Sequence, residues 1–107
     1  MKESTIEKYL IGQVKSIGGM CIKQTGVRGV PDRLVLYNGE AIFVEVKQES
    51  GVLAGHQARF ADKLLDCGVE TALIWNKEGV DAFIKDILEF HAQIELAVCD
   101  IDQGAIH

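Results

Sequence analysis

The sequence predicts an α/β domain: a mixed central β-sheet flanked by helices, in the order α-β-β-β-α-β-α. Three observations carry this. Apolar residues recur at helical spacing in three segments, about 3–18, 55–67 and 78–90. Short apolar runs of strand length stand at 20–24, 32–37, 41–48 and 69–75. Asn38-Gly39 between the second and third runs is a hairpin signal, so a turn sits where a doubly wound fold would have a crossover helix.

In the first helix Ile6, Leu10, Val14 and Ile17 form the stripe, and Gly18-Gly19 ends it. Residues 20–24 make a short strand, and Thr25 to Val30 form a loop with two glycines. The hairpin strands 32–37 and 41–48 are antiparallel, and 32 and 45 are almost equidistant from the tip. After the loop 49–55, the helix 55–67 turns Phe60, Leu64 and Leu65 inward and stops at Gly68. The strand 69–75 follows a helix and is expected to run parallel to an earlier strand. The last helix carries Val80, Phe83, Ile84, Ile87 and Leu88 on one side. Residues 91–107 either extend it or add a strand. Trp75, Phe43 and Phe83 read as packing residues.

With 107 residues the chain is expected to be one domain, 1–107, with a modest core that a dimer would support. No apolar run approaches the roughly 20 residues that cross a bilayer. The start, Met1-Lys2-Glu3-Ser4, lacks a signal-peptide core, so the cytoplasm is the expected compartment. Cys21, Cys67 and Cys99 are widely spaced, which argues against a zinc site or a disulfide framework and for buried thiols. The net charge of −5 is uneven. Residues 1–63 hold nine Lys/Arg against seven Asp/Glu, whereas 64–107 hold two against nine. The first part can therefore present a positive face to a polyanion.

The chemistry concentrates on Pro31-Asp32 and Phe43-Val44-Glu45-Val46-Lys47. Side chains alternate along a strand, so Glu45 and Lys47 share a face at its end. Read singly, Pro31-Asp32 is an ordinary turn and Glu45-x-Lys47 an ordinary same-face pair. The hairpin register joins them, and two carboxylates beside an ammonium suit metal-assisted phosphodiester hydrolysis. Glu7, on the edge of the first helix's stripe, is a third candidate ligand, directly or through water, with Glu3 one turn earlier. Gln57 opens a helix and can bond a phosphate oxygen or a water. Lys23, Arg28, Arg33 and His56 are candidate nucleic-acid contacts, with Arg28 between two glycines the best placed.

Gly29-x-Pro31-Asp32, then Glu45-x-Lys47, a glycine loop, and Gln57 on a helix ending at Gly68 resemble the virus-type replication-repair nuclease (VRR-Nuc) family of the PD-(D/E)xK superfamily. The likeness spans about residues 3–90 and leaves 91–107 as a C-terminal extension. It implies a restriction-endonuclease-like core and a metal-dependent endodeoxyribonuclease. Asp32, Glu45 and the Val46 carbonyl would hold Mg²⁺ or Mn²⁺, with Glu7 as the first-helix carboxylate and Gln57 as the family glutamine. Lys47 would orient or deprotonate the water. Small stand-alone members resemble junction resolvases, which implies a homodimer resolving four-way (Holliday) junctions, in a cytoplasm that includes that of a phage-infected bacterium. A nuclease without junction preference and a non-catalytic nucleic-acid-binding domain are the competing readings. A small-molecule α/β domain is disfavoured, since no glycine-rich phosphate loop is present.

Overall fold

A computed structural model describes the backbone of residues 2–106 and side chains as far as Val98. The elements are α1 (Glu3–Ser16), β1 (Met20–Lys23), β2 (Arg33–Tyr37), β3 (Glu40–Val46), α2 (Gly55–Asp66), β4 (Thr71–Ile74) and α3 (Lys77–Ile106). This is the expected order around a mixed four-stranded sheet.

The sheet runs β1-β2-β3-β4. β1, β2 and β3 pair antiparallel, and β4 joins β3 in parallel. The parallel pairing follows from α2, because a helical crossover returns the chain in the same direction. At the hairpin tip Asn38 and Gly39 both take positive φ, 48° and 83°. A two-residue turn of this kind matches the strand twist and fixes the register. Arg33 thus stands opposite Val44 and Leu36 opposite Ala41.

Alternation then sorts the two faces. Val35, Val44, Val46 and Ile74 meet Ile6, Leu10 and Val14 of α1 and Val80, Ile84 and Ile87 of α3 in one buried cluster. Spacings of three and four residues keep these helical positions on one side. Gly19 lets β1 approach closely: a Cβ there would lie 2.8 Å from the Leu36 carbonyl and 2.9 Å from Val14 Cγ1. Glu45 points to the other face, the one covered by α2.

Three expectations need correction. Leu65 is 58% exposed, and α2 buries no residue fully, because it covers only the β4 side of its face. Leu88 is 40% exposed, lying off the 80–84–87 stripe. Cys67 is exposed and Cys21 half-buried, so these thiols are not core residues; the Cys99 side chain lies outside the described set. Of the two readings open for the tail, helix extension is the one seen: α3 continues to Ile106, which gives the molecule a long axis of 54 Å against 30 and 23 Å.

Candidate active site

The loop between β1 and β2 delivers Asp32. Pro31 is buried and fixes one backbone angle. Gly29, at φ 86°, lies so close to α2 that a Cβ would run into the His56 carbonyl. The Asp32 main chain is held on both sides. Its carbonyl accepts from the Gln24 N–H at 2.9 Å, and its own N–H donates to Glu45 Oε2 at 2.8 Å. The hairpin therefore brings the two acids together, and one carboxylate is bound by the backbone of the other.

Glu45 is 1% exposed. Its second oxygen, Oε1, accepts from Gln57 Nε2. The Gln57 amide is oriented unambiguously, because its own oxygen accepts from the Ala54 N–H at 2.9 Å. Lys47 Nζ stands 3.7 Å from Glu45 Oε1 and is 18% exposed. Its main-chain N–H donates to the Ile74 carbonyl at 2.9 Å, which locks the strand end to β4. Burial pushes the Glu45 carboxyl up to about 7; the neighbouring Asp32 charge adds to this, while the Asp32 N–H and Lys47 oppose it. A carboxyl so raised, beside a second carboxyl, is stabilised as an anion by an added cation.

The donor chemistry fits a hard divalent ion. Oxygen ligands suit Mg²⁺ or Mn²⁺, and Mg²⁺ is commonly held by one or two carboxylates, keeping waters and taking substrate phosphate oxygens. Among the described residues no group of three or more His, Cys, Asp and Glu is gathered for an ion. The site is thus a pair of carboxylates, Asp32 and Glu45.

Glu7 is not in contact with that pair. Its Oε2 meets Arg33 Nη2 at 2.9 Å, with the side chains 24% and 13% exposed. Arg33 stands opposite Val44, on the α1 face of the sheet, whereas Glu45 faces α2. Lys23, paired with Arg33 across β1 and β2, shares that face; Lys23 and Arg28 are both exposed. His56 is half-buried at the start of α2, with its carbonyl against Gly29, and Glu3 is half-buried at the start of α1. Asp32, Glu45, Lys47 and Gln57 are brought together.

Two features escape the sequence. Trp75, at the end of β4, donates its indole N–H to the Gly51 carbonyl at 2.9 Å and ties down the loop that links Lys47 to α2. Thr71 Oγ1 is buried without a partner among the described residues, in the crevice behind Glu45 and Gln57. Both are contacts between distant segments, and neither has a local signature.

No family model matches the chain. A protein of Acyrthosiphon pisum secondary endosymbiont phage 1 named "Putative nuclease p44" is 40% identical over 77 residues, covering 69% of this chain and 83% of that protein. A solved structure described as "VRR_NUC domain" aligns with a TM-score of 0.73 and 29% identity, over 79% of this chain and 97% of its own. With the relative matched over most of its length and the fold shared with that domain, the chain belongs to the VRR-Nuc family of nucleases.

Proposed function

We propose that the protein is a divalent-metal-dependent DNA endonuclease that hydrolyses phosphodiester bonds in branched DNA, resolving four-way junctions as a homodimer. The observation that carries this is the buried Glu45 carboxylate, bound by the Asp32 N–H and Gln57 and flanked by Lys47. Asp32, Glu45 and the Val46 carbonyl would hold Mg²⁺ or Mn²⁺. When bound, such an ion supplies Lewis acidity toward the phosphate and lowers the pKa of water.

The chain's own groups do the rest. Lys47 orients the attacking water and takes up or relays its proton. Gln57 fixes the rotamer of Glu45, and its amide is committed to that bond and to Ala54. Glu7 acts through water, held at a distance by Arg33. Lys23, Arg28 and His56 contact the sugar-phosphate backbone, and Arg33 serves the site through Glu7. Phosphate contacts of this kind position DNA without reading its sequence, consistent with selection by shape.

The test is a cleavage panel of four-way junction, flap, duplex and single strand, with Mg²⁺ or Mn²⁺, for wild type and Lys47→Ala. The expected result is metal-dependent cutting of the junction by wild type and its loss in a folded Lys47→Ala protein. Equal cutting of all substrates would remove the junction preference, and full activity in Lys47→Ala would remove the catalytic assignment.

A further inference from the structure

α3 does more than cover the sheet. It starts beside the end of β4, at the catalytic end, and runs back past the core. Val80, Ile84, Ile87 and His91 form its buried stripe, at spacings of four, three and four. His91 meets the hairpin tip: Nε2 lies 2.7 Å from Glu40 Oε2 and Nδ1 3.3 Å from the Asn38 amide nitrogen. The domain ends there, but the helix does not. Its backbone continues to Ile106, about 15 residues and about 22 Å further.

The projecting half keeps the apolar phase. Ile94 and Val98 extend the stripe, and they are 41% and 50% exposed. The sequence repeats the spacing at Ile101 and Ala105. Phe90, 51% exposed and one turn before Ile94, widens the patch. An isolated helix of this length is marginal in water, and a stripe at alternating three and four spacing suits a second helix of the same pattern. Contiguous apolar surface of this kind marks an association site.

We infer that the projecting half of α3 is the homodimer interface, pairing in parallel with the same segment of a second copy. Parallel pairing is favoured by the direction of the fold. The catalytic end lies opposite the hairpin tip, so parallel tails leave both centres facing one side, where a single branched substrate meets both. Antiparallel tails would send the centres to opposite poles. The inference deepens the dimeric reading above and rests on it; the cleavage chemistry does not depend on it.

The test is sedimentation equilibrium of the full chain without DNA or metal, for wild type, Ile94→Glu, Val98→Glu and Met20→Glu. Met20, 61% exposed on the edge strand β1, is the control for uncovered apolar surface away from α3. Trp75 fluorescence reports that the core remains folded. Wild type and Met20→Glu are expected at twice the chain mass, and Ile94→Glu and Val98→Glu at the chain mass. The tail carries Glu89 and Glu95 and no Lys or Arg after Lys85. Screening of this like charge should therefore tighten the dimer as salt rises from about 50 to about 500 mM. With a two-electron thiol oxidant such as diamide, an Ile94→Cys chain that also carries Cys67→Ser and Cys99→Ser should form a 94–94′ disulfide, two thiols giving one S–S bond. A dimer that survives Ile94→Glu and Val98→Glu, or dissociates with Met20→Glu, would overturn the interface. Failure of the 94–94′ bridge in a proven dimer would overturn the parallel orientation. A monomeric wild type would overturn both interface and dimer, leaving the nuclease assignment standing on the cleavage panel.

Discussion

Glu45 is the residue on which the centre turns. A carboxylate removed from water is unfavourable unless bonded, and here two donors and a nearby ammonium only partly offset its burial. The pH dependence follows. The folded carboxyl titrates at about 7 against a usual 4.5. Between those values the folded protein keeps a proton that the unfolded chain has released. The contribution of Glu45 to stability is therefore full below about 4.5 and is lost as pH rises through 7, by on the order of 3 kcal/mol at most. Thermal melts of the metal-free protein from acid to neutral pH should show this decline, and Glu45→Gln should flatten it. Unchanged slopes in Glu45→Gln would assign the decline elsewhere. Gln57→Ala removes one donor and leaves both Glu45 Oε1 and the Ala54 N–H short of a partner. It should cost about 1–3 kcal/mol of stability, read from urea melts, and reduce cleavage further than that loss of fold explains.

At the scale of elements, the contact between the Gly29 loop and the start of α2 joins the two halves of the site. Gly29→Ala combines a positive φ with a clash against the His56 carbonyl. It should destabilise by about 2 kcal/mol or more, because neither strain can relax without moving Asp32 or Gln57. A melting temperature unchanged from wild type would show that this contact does not matter.

The hairpin and its register were legible because Asn38-Gly39 tolerates the backbone angles that only a tight turn requires, and the turn alone places 32 across from 45. Gln57 was legible as a site residue, but its engagement with Glu45 and Ala54 was not, since helix periodicity says nothing about which side-chain atoms meet. Leu65 departs from its predicted place for a related reason. The period put it beside Leu64, but the extent of sheet beneath α2 is a tertiary quantity. Glu7 with Arg33 and His91 with Glu40 join segments far apart in the chain, and charge pattern alone does not pair them. The projecting part of α3 keeps its helical phase, but a short apolar run such as 94–98 suits a strand as well as a helix on periodicity alone.

For the whole molecule, the sheet separates two tasks. One end gathers Asp32, Glu45, Lys47 and Gln57, and the other carries the hairpin tip where His91 anchors α3 before it leaves the domain. The net charge of −5 leaves no large electrostatic attraction to DNA, so affinity rests on the few cations of the first 63 residues. Junction binding should weaken as salt rises, with a slope set by a small number of phosphate contacts, and Arg28→Ala should lower that slope by about 1. An unchanged slope would remove Arg28 from the contact set. Among the described residues no helix is long and apolar enough to cross a membrane.

The proposed hydrolysis depends on the Asp32–Glu45 pair as a shared cation site. Calorimetric titration of Mn²⁺ into wild type, Asp32→Asn and Glu7→Gln addresses it directly. Saturable binding by wild type and Glu7→Gln, abolished in a folded Asp32→Asn protein, is the predicted result. Absence of binding by wild type both with and without DNA, or equal binding by Asp32→Asn, would contradict it.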